Sequence, residues 1–150
     1  MKAYTWFATL CGIGLIPFAP GTLASLAALP FAWLLLVTGD IDGLGTGIAL
    51  AIAIGLWACD MTVSETGNPD PQQCVIDELA GQWIACMAAP LTLTGFAVAF
   101  VAFRVFDIWK PWPISAAEKA KGGMGVMADD LVAGLFALIV VVAVRQAGLI

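Results

Sequence analysis

The feature that most constrains this chain is an uncharged run. Between Lys2 and Asp40 no side chain carries a charge, and 37 successive residues, Ala3–Gly39, must fold without one. Three more such runs follow, over Gly43–Cys59, Leu79–Phe103 and Leu131–Val144. Charged residues make up 11% of the chain and hydrophobic ones 61%, whereas soluble domains carry about 25% charge. Seventeen charged side chains among 150 residues cannot cover a water-facing surface, so lipid must solvate much of this chain.

The length suits one compact membrane-embedded domain over residues 1–150, and no separate soluble module is expected. A net charge of −5 leaves no basic field for nucleic acid. Histidine is absent, which removes any imidazole base, nucleophile or metal ligand. Cys11, Cys59, Cys74 and Cys86 form no C-x-x-C pair and no C-x5-R phosphatase arrangement, and they read as small buried side chains. The first run far exceeds the roughly 7–15 residues of a signal-peptide core, so no cleavable signal is expected.

A spanning helix needs about 20 apolar residues. The first run is too long for one helix and is punctuated by Pro17-Phe18-Ala19-Pro20-Gly21. This pattern predicts a short or re-entrant helix over Trp6–Ile16, then a full helix. Leu79–Phe103 could be one span or a hairpin turning at Pro90. The hairpin makes Asp77–Ala89 a short arm of about 20 Å, which must sit in protein or thinned bilayer. The expected fold is all-α, a polytopic membrane bundle of helices 22–38, 44–60, 77–89, 93–110 and 129–147 plus the N-terminal half helix. Loops 61–76 and 111–128 are the sizeable hydrophilic excursions, and Asp40-Ile41-Asp42-Gly43 reads as a turn at the opposite end. Lys110, Lys119 and Lys121 then lie on the polar face against Arg145 on the other, which makes the polar face cytoplasmic.

Charge inside so apolar a chain needs a reason. Asp77-Glu78 and Asp129-Asp130 each stand at the expected start of an apolar helix, where acids favour the helix dipole. Two acidic pairs converging on one face also suit a hard cation such as magnesium, which takes carboxylate oxygens and keeps waters for a phosphate. Arg104, Asp107 and Lys110 lie at i, i+3 and i+6. Arg104 and Asp107 can form an ion pair, or the guanidinium and ammonium can hold phosphate oxygens while Asp107 orients them or binds metal. Thr22 can cap its helix or help hold an anion at the helix start. Gly122-Gly123-Met124-Gly125 could let backbone approach a phosphate. Trp109 and Trp112 read as interfacial anchors.

Taken in order, the motifs resemble the phosphatidylglycerophosphatase A family of bacterial membrane lipid phosphatases. They are Gly-Ile-Gly-Leu-Ile-Pro-Phe-Ala-Pro-Gly-Thr (12–22), Asp-Pro (70–71) with Val-Ile-Asp-Glu (75–78), Arg-Val-Phe-Asp-Ile-Trp-Lys-Pro-Trp-Pro (104–113) and Gly-Gly-Met-Gly-Val-Met-Ala-Asp-Asp (122–130). The resemblance covers about residues 6–134, with Ala24 standing where glycine is expected. It implies magnesium-dependent hydrolysis of phosphatidylglycerol phosphate to phosphatidylglycerol and inorganic phosphate, at the cytoplasmic side of the bacterial inner membrane. Asp77, Glu78, Asp129 and Asp130 are the expected metal ligands, with one carboxylate left to accept a proton from water. Arg104, Lys110 and Thr22 are expected at the substrate phosphate and Asp107 beside them. Water attack and an aspartyl-phosphate route both stay open. The rival readings are a phosphatase of another phospholipid or a polyprenyl phosphate, and a small transporter, since carboxylates with an arginine also line transport paths.

Overall fold

The computed structural model describes residues 1–150 and contains helices and turns but no strand. Its elements are α1 (Ala3–Ala8), a single 3-10 turn (Ile13–Leu15), α2 (Pro20–Thr66), α3 (Ile76–Cys86), α4 (Leu93–Trp109), α5 (Ile114–Ala117) and α6 (Gly122–Gln146). Two of these, α2 and α6, are long and apolar enough to cross a membrane.

The span α2 is not one straight helix but a hairpin of two. Asp40 leaves helical geometry at φ 52°, ψ −152°. A Cβ on Gly43 would come within 2.9 Å of the Leu35 carbonyl oxygen, and one on Gly47 within 2.9 Å of the Leu35 side chain. In a straight helix Leu35 and Gly47 would stand about 18 Å apart. Pro20 and Thr66, its two ends, line the same cavity. The turn expected at Asp40–Asp42 is therefore present, and the arms run over 20–39 and 41–66. Pro20 opens the first arm at a position where a missing N–H is harmless. Gly67, at φ 68°, closes the second by donating its N–H to the Val63 carbonyl. The second arm thus reaches six residues further than the sequence pattern suggests.

A second reversal follows α3. Thr92 caps α4, accepting the Gly95 N–H on its side-chain oxygen at 3.0 Å, while Gly95 packs against the Pro90 ring and carbonyl. The Pro90 hairpin is thus real, and it turns α4 back alongside α3. Eight of the eleven residues of α3 are buried, so the arm too short for a bilayer is enclosed by protein. Small residues make this possible. A Cβ on Gly81 would meet the Asp130 carbonyl at 2.6 Å, and one on Gly134 the Gly81 carbonyl at 2.5 Å. The backbones of α3 and α6 touch there, as small residues permit between apolar helices. One core cluster gathers Leu44, Ile84, Phe103, Ile114 and Val141, and a second gathers Tyr4, Cys59, Ile76 and Met127. The outward faces stay apolar, with Phe31, Leu50, Val101 and Ile139 all more than half exposed.

Four expectations are corrected. Trp6–Ile16 is not one helix: α1 ends at Ala8, and Leu10, Cys11 and Gly12 all take positive φ before the 3-10 turn. Six residues rise only about 9 Å, so α1 cannot span a bilayer. Thr22 is not an N-cap. Ala19 holds that position, and Thr22 lies inside the first turn. Gly122-Gly123-Met124-Gly125 is not a loop but the first turn of α6. Its glycines admit neighbours: Gly123 abuts the Leu56 carbonyl and the Asp60 backbone, and Gly125 the Ala120 carbonyl. Asp60 accepts the Gly123 N–H at 3.1 Å and so caps α6 from another helix. Consequently α6 starts seven residues early, and Asp129-Asp130 sit in its interior, not at its start.

Candidate active site

The helix ends at the Pro20 side of the molecule surround a polar cavity of about 540 Å³. The first turn of α2 contributes Gly21 and Thr22, α3 contributes Asp77 and Glu78, α4 contributes Arg104 and Asp107, and α6 contributes Asp129 and Asp130. Lys110, just past α4, completes the set. All eight residues singled out from the sequence meet in this one cavity, and both hairpins are needed to bring them there.

Within it the carboxylates divide. One oxygen each from Asp77, Glu78 and Asp130 lies within 4.8 Å of the others. Asp77 and Asp130 are buried, and neither Glu78 Oε2 nor Asp130 Oδ2 has a hydrogen-bond partner. Three carboxylates this close repel strongly at low dielectric, and a bound divalent cation is what such a donor set fits. Asp129 stands apart. Its carboxylate is not one of the three that cluster, although it lines the same cavity as Asp130. Asp129 Oδ2 instead accepts from Lys110 Nζ at 2.7 Å, leaving Oδ1 buried and without a partner.

The basic groups are held by acids as well. Arg104 is ion-paired with Asp107 one turn later, and their side chains are only 15% and 11% exposed. Arg104 Nε has no partner and is free to donate. Lys110 bridges Asp129 and Glu118, the latter at 2.9 Å. Burial opposes its charge, but the hydrogen bonds it donates to Asp129 and Glu118 outweigh that and raise its pKa above the ordinary lysine value. The Glu78 carboxylate lies against the start of α2. A Cβ on Gly21 would fall 2.2 Å from Glu78 Oε1 and 3.5 Å from Arg104 Nη1, so this glycine leaves room for the acid.

Asp70 and Gln72 also line the cavity and were not among the residues expected there. The sequence signal for Asp70 was the Asp-Pro pair within the motif set; Gln72 carried none. Glu118 was likewise missed, because its role depends on α5 folding back against α6. The four cysteines are unpaired; Cys59 and Cys86 are buried as expected of small apolar side chains, whereas Cys11 is exposed and the buried Cys74 lines the cavity.

An all-helical chain that gathers three carboxylates, a paired arginine and a lysine at one end of apolar helices offers a donor set suited to a cation and a phosphate ester. Residues 6–145 match the phosphatidylglycerophosphatase A family, and the chain belongs to it. It is 43% identical to phosphatidylglycerophosphatase A of Escherichia coli K12, over 83% of this chain and 73% of that one. The Haemophilus influenzae protein of the same name is 38% identical over 89% and 83% of the two chains. A Bacteroides thetaiotaomicron protein with the printed name "Putative phosphatidylinositol-3-phosphatase" is 37% identical over 89% and 88%. No solved structure matches the chain. The chain is thus a phosphatase, and the transporter reading falls.

Proposed function

We propose that this protein hydrolyses phosphatidylglycerol phosphate to phosphatidylglycerol and inorganic phosphate in phospholipid synthesis, using magnesium, as a multi-pass protein of the bacterial inner membrane. The single observation that carries the chemistry is the convergence of Asp77, Glu78 and Asp130 with two buried oxygens left without partners. Those three residues would hold the cation. When bound, the cation offsets the charge of the carboxylates and of the phosphoryl oxygens as they gain charge.

The chain's own groups account for the rest. Arg104, oriented by Asp107, donates its free Nε–H to a phosphate oxygen. Lys110 keeps one of its three N–H groups for the same phosphate, with the other two on Asp129 and Glu118. Asp129, held by Lys110 through one oxygen, has the other free to accept a proton from the attacking water. Thr22 and the unbonded amides of the α2 start face the anion.

The arms of α2, with α4 and α6, would cross the bilayer while α3 stays within protein. The cavity then opens at the cytoplasmic face, beside Lys110, Lys119 and Lys121. The name of the Bacteroides relative supports a second reading, a phosphatase of a phosphoinositide. Phosphate release by purified protein in mixed micelles tests both. Preference for phosphatidylglycerol phosphate over phosphatidylinositol 3-phosphate and phosphatidic acid supports the first reading, and the reverse preference supports the second.

A further inference from the structure

The acidic cavity continues into apolar surface along α4. Arg104 and Ile108 belong both to its wall and to a hollow on the outer face of α4 lined by Phe100, Val101, Val105 and Trp109. Val101 in turn belongs to a further apolar hollow, reaching Thr94, Ala97 and Val98 on α4 and Val140 on α6. The two hollows measure about 550 and 350 Å³. Together they form a trough along α4 from Ile108 to Thr94, which is about 21 Å at 1.5 Å per residue. One leaflet of a roughly 30 Å hydrocarbon core is about 15 Å deep, so the trough accommodates a lipid tail over a leaflet's full depth. Its floor is open: Val101, Val105, Ile108 and Trp109 are 49–72% exposed. A separate apolar hollow, around Leu10, Phe31, Leu79 and Trp83, shares no residue with the acidic cavity.

We infer that this trough is the acyl-chain subsite of the enzyme, through which a diacyl phospholipid enters sideways from the bilayer with its tail along α4 and its phosphate at Arg104. The inference rests on the proposed lipid phosphatase activity and adds to it the part of the substrate that the charged groups cannot recognise. Arg104 has the geometry for this junction. It lines both the apolar hollow and the cavity, its guanidinium pairs with Asp107, and a long side chain of this kind carries an apolar stem below its charged head. A phosphate and its lipid tails are joined by a few bonds, so the tail must leave the cavity where apolar surface begins.

Two measurements test this. The first compares hydrolysis of dioleoyl phosphatidylglycerol phosphate in mixed micelles with that of its deacylated, water-soluble headgroup. Val101→Trp and Val105→Trp should lower the ratio of kcat/KM for the diacyl over the deacylated form by at least about tenfold, the order expected from losing a few methylenes of apolar contact. Ile139→Trp, on the exposed face of α6 outside the trough, should leave that ratio unchanged. An unchanged ratio in both trough variants overturns the subsite. The second needs no turnover: phosphatidylglycerol phosphate with a diazirine on one acyl chain is photolysed with the protein. Labelling within 94–109 that excess unlabelled substrate lipid displaces, and phosphatidylcholine does not, supports the subsite. Labelling elsewhere, or equal labelling by a diazirine phosphatidylcholine, overturns it. Absence of phosphate release from either substrate would count against the proposed activity, while the photolabelling still decides the trough.

Discussion

Lys110 Nζ donates to Asp129 Oδ2 at 2.7 Å, joining the end of α4 to the third turn of α6 across 19 residues. The contact separates Asp129 from the three clustered carboxylates and gives it a different partner from its neighbour Asp130. Removing the ammonium leaves a buried carboxylate unpaired, which is more damaging than removing both groups. Lys110→Met should therefore destabilise the protein by about 1–3 kcal/mol. Lys110→Met with Asp129→Asn should recover much of that loss without recovering turnover. Thermal unfolding in detergent, beside phosphate release, checks both.

Asp77→Asn and Asp130→Asn should each lower kcat at least about 100-fold while the protein remains folded. Each should also weaken binding of magnesium, measured by calorimetry on the metal-free protein. Exhaustive chelation should abolish turnover and magnesium should restore it. Full activity in excess chelator would remove the cation from the mechanism.

Gly21→Ala discriminates the site from the fold. Its Cβ would meet the mobile end of Glu78, not backbone, so stability should change by less than about 1 kcal/mol. The displaced carboxylate should nonetheless lower activity and cation affinity together. Gly134→Ala is the contrast. Its Cβ would meet the Gly81 backbone, and the overpacking should cost about 1–3 kcal/mol and separate Asp130 from Asp77.

The cysteines offer a quiet background for labelling. Cys11 is exposed and the other three are buried, so one thiol should react quickly in native protein and four after unfolding. Protein with all four changed to serine should keep most of its activity with some loss of stability, since hydroxyls replace sulfur in apolar surroundings. A folded but inactive variant would implicate a thiol in the chemistry.

In that background, single cysteines at 70, 112 and 122 should respond alike to a membrane-impermeant thiol reagent, all from one side. Cysteine at 40 should respond from the other, because the first arm of α2 rises about 30 Å between the cavity and Asp40. Opposite labelling of 70 and 112 would contradict the Pro90 hairpin and dismantle the site.

Some of this architecture was determined by the sequence alone. Long uncharged runs, their lengths and the prolines and aspartates between them are one-dimensional signals, because hydrogen bonding and apolar solvation act over consecutive residues. They sufficed for an all-helical chain, for a turn at Asp40 and for the eight polar residues that meet in the cavity, and they left Leu79–Phe103 open between one span and the Pro90 hairpin. Tertiary structure decided the rest. The start of α6 moved to Gly122 because Asp60, on another helix, supplies its cap. That shift placed Asp129 and Asp130 mid-helix, where Asp129 pairs with Lys110 and Asp130 joins Asp77 and Glu78. No pattern along the chain encodes that division, because it depends on the rotational phase of α6 against α3, set where Gly81 and Gly134 let the two backbones touch.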